Sequence, residues 1–125
     1  VYEASVIRSR WHAHAARLFD RFDAVVLPSA QVWPFPADWR WPEEIAGRKM
    51  DTYHRWMEVV IPSSLIGLPA LSVPVGFSAS GLPMGMQIIG SSGDDAGVLA
   101  IGQAWHRATE WPQRRPPLVA GAVSR

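Results

Sequence analysis

Apolar residues open the chain at helical spacing: Ile7, Trp11, Leu18 and Phe22 stand four, seven and four positions apart, with Val6 and Phe19 flanking the stripe. The pattern predicts an amphipathic helix over 2–22. Arg8, Arg10, Arg17 and Arg21 fall on the opposite face, where solvated charges belong. After Asp23 the period changes, and Ala24, Val25, Val26 and Leu27 form a continuous apolar run closed by Pro28, the pattern of a buried strand. Residues 29–50 have no period. They hold Trp33, Trp39 and Trp41 among Pro34, Pro36 and Pro42, with a short helical turn predicted over 43–50. A Trp/Pro-rich loop of this length inside a compact unit reads as a cover or binding loop, not a linker.

Asp51 is placed to cap a second helix whose inner face is Tyr53, Trp56, Met57 and Val60, ending before Pro62. A strand over 68–76 follows, interrupted by prolines. Because proline cannot donate to a ladder, Pro69 and Pro74 belong at strand ends or at a bulge. A turn through Gly81 leads to a further strand over 84–90, in which Gly85 signals close backbone approach. The last helix carries Val98, Leu99, Gly102 and Trp105 on one face and stops by Pro112, with Asp94 and Asp95 suited to its positive end. From Gln113 onward the tail is expected to be irregular. No internal repeat is found. The order helix, strand, long loop, helix, strand, strand, helix gives an α/β chain with only three sheet strands, near the lower limit for independent stability. An open edge of that sheet calls for another strand, and in a fragment the missing part would pair there.

Composition narrows the chemistry. The 125 residues are 48% hydrophobic and carry twelve Lys+Arg against eleven Asp+Glu, a net charge of +1. That length suits one domain at most. The near-neutral balance leaves no footprint for nucleic acid or an anionic membrane surface. Apolar runs around 65–75 and 84–89 are broken by Gly, Pro and Ser well short of a bilayer span. The first fifteen residues lack the apolar core of a leader, and a start at Val1 is expected to be a cut edge. With no cysteine, disulfides, thiolate nucleophiles and Cys-ligated zinc are excluded. His12 and His14, two apart on a helix, point to different faces, and His54 and His106 have no partner at motif spacing; no metal site and no cofactor are expected. Seven Trp suit pocket walls or interfaces, and equally a core in which each indole N–H finds an acceptor.

The run Gly90, Ser91, Ser92, Gly93 invites a nucleophile reading, since a serine at a tight glycine turn can present its oxygen beside backbone N–H groups. Helix capping by Ser92 or Asp94 is the stronger expectation. An activated serine needs a base, and the single lysine, Lys49, lies across the irregular loop. Asp23, between a helix and a strand, is expected to accept backbone N–H bonds and fix the crossing.

The string from Gly67 through Leu68, Pro69, Ala70, Leu71, Ser72, Val73, Pro74, Val75 and Gly76 to Phe77, followed by Gly81 to Gly90 with Gln87, Ile88 and Ile89, resembles the C-terminal region of the amidase signature family. Upstream, Phe22, Asp23, the apolar run and Pro28 resemble the same family, as do Asp95, Val98 and Leu99 downstream. Nearly the whole chain is covered in order, but only the last part of a family enzyme. The resemblance implies a partial amidase signature fold, with a few strands of a mixed sheet covered by helices, and the parent chemistry implied is hydrolysis of carboxylic amides by a serine, a second serine and a lysine. Neither the family's Gly/Ser-rich signature nor its lysine falls in the matched region, so no catalytic residue is carried onto Ser91, Ser92 or Lys49. The chain, residues 1–125, is read as the C-terminal segment of an incomplete domain, inactive alone.

In the family the helix ahead of the Gly-Leu-Pro-Ala strand lines the acyl pocket, which makes Met57, Ile61 and Ser64 the substrate-binding candidates; Met57 and Ile61 equally suit burial in a core. The amidase-like chains of glutamine-dependent amidotransferases, their A subunits, carry an aspartate near the Met57 position, to hold the substrate ammonium, and an asparagine where Ser64 stands. Methionine cannot pair with an ammonium, so the resemblance favours a general amidase over an amidotransferase chain. A different class of reading is a non-catalytic interaction module anchored by the Trp/Pro loop. The partners expected are a small-molecule amide in the parent and the missing N-terminal part of the domain, with a homo-oligomer as an open alternative and no nucleic acid or membrane. The expected location is the cytoplasm.

Overall fold

The computed structural model describes residues 1–114. Helix α1 (Tyr2–Leu18) ends four residues short of the stripe that predicts it. The chain leaves through turns closed by Phe19 N to Ala16 O and Arg21 N to Leu18 O, which carries Phe22 out of helical phase. Trp11, Ala15, Leu18 and Phe19 turn inward, whereas Ile7 and Phe22, expected on the covered stripe, are 65% and 53% exposed.

Strand β1 (Val25–Pro28) follows, and the loop after it contains a hairpin of β2 (Glu44–Ile45) and β3 (Arg48–Lys49). This corrects the helical turn expected over 43–50. Ala46 and Gly47 both have positive φ, 50° and 80°, the backbone of a tight hairpin turn that a helix cannot use. Residues Tyr53–Val60 then form a 3-10 helix that runs straight into α2 (Ile61–Ser64). Pro62 sits in the first turn of α2, where its missing N–H costs nothing, so the helical path passes through the proline and does not stop before it. Thr52, not Asp51, occupies the capping position.

Strands β4 (Ala70–Phe77) and β5 (Pro83–Ile89) complete a three-stranded antiparallel sheet in the order β1-β5-β4. Val25 and Ala70 both lie opposite Ile89, and Leu27 and Ser72 both lie opposite Gln87. The register slips between Pro74 and Gly76, which places Pro74 at a bulge and Pro69 just ahead of the strand, as proline requires. Gly85 is a true close approach: a Cβ there would meet Ser29 Oγ at 2.6 Å and the Val73 carbonyl at 3.2 Å.

Helix α3 (Asp95–Thr109) is capped by Asp94, whose carboxylate accepts the Gly97 N–H at 3.0 Å. It buries Val98 and Gly102, and a Cβ at Gly102 would collide with Leu71 of β4. Leu99, expected on the same face, is 61% exposed. A single 3-10 turn, Trp111–Gln113, follows, and the rest of the tail lies outside the described residues. Two indoles tie the layers together: Trp11 Nε1 donates to the Pro62 carbonyl at 2.7 Å and Trp105 Nε1 to that of Pro74 at 2.9 Å. Asp23 is exposed, and among the described residues its side chain takes no hydrogen bond, so the crossing is fixed without it. The buried apolar set is small: Ala15, Met50, Ile88, Ile89 and Val98.

Candidate functional site

The segment 53–64 carries all three substrate-binding candidates, and two glutamines bind it in place. In an α-helix the Val59 N–H would bond to the Arg55 carbonyl. Here the side-chain amide of Gln31 lies between them: its Oε1 accepts the Val59 N–H at 2.9 Å and its Nε2 reaches the Arg55 carbonyl at 3.5 Å. The Val59 N–H is thus satisfied from outside the segment, near the end of a stretch wound as a 3-10 helix. The next residues are held by Gln87, buried in the middle of β5, whose Nε2 donates to the carbonyls of Val59 and Pro28, both at 3.0 Å. Its Oε1 accepts the buried Ser63 hydroxyl at 3.4 Å, and that hydroxyl also reaches the Val60 carbonyl at 3.2 Å. The segment is thereby clipped to both β1 and the central strand through groups that are fully paired.

Its charges are equally committed. Arg55 donates to Asp51 through Nε at 2.9 Å and Nη2 at 3.2 Å, and to Glu58 through Nη1 at 2.6 Å. The hydrogen bonds from Arg55 hold the Asp51 carboxyl below its ordinary value of 3.8, and the same bonds raise the guanidinium above its own range. Asp51, placed by its sequence position to cap the helix, serves as an anchor for Arg55.

The Trp/Pro loop packs its rings against this segment. Phe35 meets Trp56 edge-on at 5.5 Å between centroids, Trp41 meets Tyr53 at 5.8 Å, and Trp39 stacks on Phe35 at 6.3 Å. The outer side of the loop borders a cleft of about 680 Å³ formed by Asp38, Trp39, Arg40, Trp41, Glu43 and Glu44, with Arg40 over the Trp41 ring at 4.8 Å. Trp33 and Trp39 are 45% and 53% exposed, while Trp41 is half-buried.

Met57 and Ile61 are half-buried, and Ser64 is exposed. Ser64 borders a second cleft, of about 510 Å³, with Arg8, Ser9 and His12 of α1 and residues 65–67; Met57 and Ile61 do not line it. The Ser64 hydroxyl donates back to the Val60 carbonyl at 2.8 Å. The three candidates therefore share one segment but not one cavity. Ser91 and Ser92 stand in the turn before α3, where the capping is done by Asp94, and Lys49 lies on the β2-β3 hairpin opposite Glu44. No hydrogen bond joins either serine to the lysine or to a histidine among the described residues. No three His, Asp or Glu side chains converge as metal ligands there either, and no helix is long and apolar enough to cross a membrane.

Sequence reasoning missed Gln31 and Gln87 as organisers of the segment. A signal existed for Gln87, an amide inside the apolar run Met86, Ile88, Ile89, because a buried amide requires partners. For Gln31, in an aperiodic loop, there was none.

Comparison with known proteins places this geometry. The A subunit of glutamyl-tRNA(Gln) amidotransferase from Myxococcus xanthus is 35% identical over 115 residues, covering 92% of this chain and 22% of its own length. Its counterpart in Chloroflexus aurantiacus is 37% identical over 103 residues, covering 82% and 20%. Among solved structures, a bacterial aryl acylamidase of the amidase signature family superposes with a TM-score of 0.76 at 31% identity, over 89% of this chain and 24% of that one. The glutamyl-tRNA(Gln) amidotransferase A subunit of Thermotoga maritima gives 0.61 at 32% identity, over 78% and 20%. The chain thus spans roughly a fifth to a quarter of the length of the proteins it matches. The amidase family model matches residues 2–99, from the first helix through both long strands into α3, and on that match the chain belongs to the amidase family.

Proposed function

We propose that this chain is the C-terminal part of an amidase signature hydrolase acting on carboxylic amides, and that the segment 53–64 is a wall of its acyl pocket with Met57, Ile61 and Ser64 toward the substrate. The observation that carries the reading is the disposition of charge on that segment. Its two acidic neighbours, Asp51 and Glu58, are both taken up by Arg55, and Met57 offers a thioether. Such a wall suits an uncharged acyl group and gives a substrate ammonium nothing to pair with. The nucleophile, its partner serine and the lysine are assigned to the remainder of the parent, in line with the separation of Ser91 and Ser92 from any base.

The test grafts this chain in place of the matching quarter of the bacterial aryl acylamidase. The chimera should hydrolyse neutral aryl amides, Met57→Ala should raise KM for bulky acyl groups by about tenfold, and Ser91→Ala and Ser92→Ala should leave the rate unchanged. The 125-residue chain by itself should be inactive. A chimera that ignores neutral amides and releases ammonia from glutamine would establish instead the second reading, an amidotransferase A chain, which the identity to the Myxococcus and Chloroflexus proteins favours.

A further inference from the structure

Val59 stands midway between Met57 and Ile61, two positions from each, and both of its main-chain groups are held by side chains from elsewhere. Gln31 Oε1 accepts its N–H at 2.9 Å, and Gln87 Nε2 donates to its carbonyl at 3.0 Å. Among the described residues no other position has side chains bonded to both main-chain groups. Segments of regular structure satisfy such groups through their own backbone, so a residue captured at both ends by distant amides is fixed relative to whatever carries those amides.

Both amides are rooted in the sheet. Gln87 is a buried residue of β5. Gln31 lies two residues beyond Ser29, whose N–H donates to the Gly85 carbonyl at 3.0 Å and so carries the pairing of β1 with β5 one step past Pro28. A carboxamide suits each place because it offers an acceptor and two donors together. Gln87 gives its nitrogen to the Val59 and Pro28 carbonyls and takes the Ser63 hydroxyl on its oxygen at 3.4 Å. Gln31 spans five residues, from the Val59 N–H back to the Arg55 carbonyl 3.5 Å from its Nε2, and Met57 is the middle one.

The two holds are not equivalent. Gln87 acts on the carbonyl side of Val59 and, through Ser63, on the residues that follow, whereas Gln31 acts on the N–H side and on the residues that precede. Loss of the Gln31 amide therefore frees 55–58, the part that carries Met57, and leaves Ile61 tied. The Arg55 bonds to Asp51 and Glu58 reach nothing in the sheet and cannot replace it. Ring contacts from Phe35 and Trp41 reach Trp56 and Tyr53 from the same loop, and what the amide adds to them is a directional bond.

We infer that Gln31 is a positioning residue for acyl recognition: through the Val59 N–H it sets where Met57 stands, so that one side chain of the Trp/Pro loop tunes the size of acyl group accepted, the acyl pocket itself being taken from the proposed function. Gln31 needs no contact with the substrate to do this.

Methyl NMR of the 125-residue chain tests the structural half. Gln31→Ala should displace or broaden the Met57 methyl signal, while the Ile61 δ-methyl, beyond the Gln87 bond, moves less. Gln31→Glu, which keeps an acceptor for the Val59 N–H, should restore the Met57 signal. Trp105→Phe removes the bond from α3 to the Pro74 carbonyl and is the control for general loosening; it should leave Met57 in place. Kinetics of the aryl acylamidase chimera test the functional half. Gln31→Ala should raise KM for aryl amides by about tenfold with kcat within about twofold, and narrow the discrimination between acetyl and benzoyl groups. Gln31→Glu should recover most of that loss, and Trp105→Phe should not reproduce it. A Met57 signal that ignores Gln31→Ala, or that Trp105→Phe moves as far, overturns the inference, and so does a chimera in which Met57→Ala raises KM and Gln31→Ala does not. Should Gln31→Ala move the Met57 signal while neither it nor Met57→Ala alters KM, the acyl-pocket reading is what fails, and the role in recognition falls with it while the hold on Met57 stands.

Discussion

The side-chain oxygen of Gln31 accepts the backbone N–H of Val59 at 2.9 Å, and with its amide nitrogen 3.5 Å from the Arg55 carbonyl it occupies the place of one α-helical hydrogen bond. A residue of the Trp/Pro loop thereby tethers the segment that carries Met57. Gln31→Leu leaves the partly buried Val59 N–H without an acceptor and should cost about 1–3 kcal/mol in urea denaturation. Gln31→Glu keeps that acceptor and removes the donor to Arg55, so it should lose less at neutral pH. Equal losses for the two substitutions would show that the Val59 bond is not the one that matters.

Gln87 makes a larger claim. Replacing it with Leu preserves volume but leaves the part-buried carbonyls of Pro28 and Val59 without their donor, while the Ser63 hydroxyl keeps its bond to the Val60 carbonyl. The expected loss is about 2–4 kcal/mol, more than a lone hydrogen bond provides, because several groups lose their partner together. Thermal unfolding by circular dichroism reads this directly. Ser63→Ala, which removes only the weakest of these contacts, should cost less than about 1 kcal/mol.

These two amides also mark the boundary of what the chain announces in its residues. The strands were legible because Val25, Val26 and Leu27 and the Gly-Leu-Pro-Ala and Gln-Ile-Ile strings combine apolar runs with turn residues, and Pro74 and Gly85 sit at the bulge and close approach their chemistry demands. What failed was local reading where a distant partner decides. Periodicity put Ile7, Phe22 and Leu99 on covered faces, but cover depends on what packs there, and each of the three is more than half exposed. The 43–50 stretch has helix-tolerant residues, yet Ala46 and Gly47 turn it back as a hairpin. The tether on 53–60 could not be seen from that stretch alone, since Gln31 lies more than twenty positions away. Of the candidate site, Met57, Ile61 and Ser64 were chosen by motif position, whereas the network that holds their segment was not legible.

The Arg55 clamp gives a pH signature with a definite sign. The Asp51 carboxyl is depressed in the folded state, first by the hydrogen bond from Arg55, so its contribution to stability is present above 3.8, the unfolded value, and is lost as the pH falls through the lower folded value. A carbon-detected NMR titration should place the Asp51 midpoint below 3.8 in the wild-type chain and return it toward 3.8 in Arg55→Gln. Because the pair is exposed, neutral-pH stability should barely respond to that substitution. An unchanged midpoint in Arg55→Gln would assign the depression to the neighbouring Arg48 instead.

The Trp/Pro loop separates a pocket cover from a partner anchor. Trp33 and Trp39 are about half exposed, while Trp11 and Trp105 are held through their indole N–H groups. Iodide should therefore quench the 125-residue chain mainly through Trp33 and Trp39, and the double substitution Trp33→Phe, Trp39→Phe should remove most of the quenchable fraction. The same measurement on the aryl acylamidase chimera distinguishes the two roles. A loop that covers the pocket of a completed domain becomes shielded there, and quenching at both positions should fall. A loop built to hold a separate partner keeps its rings in water after the domain is complete, and undiminished quenching would favour the interaction module over the pocket wall.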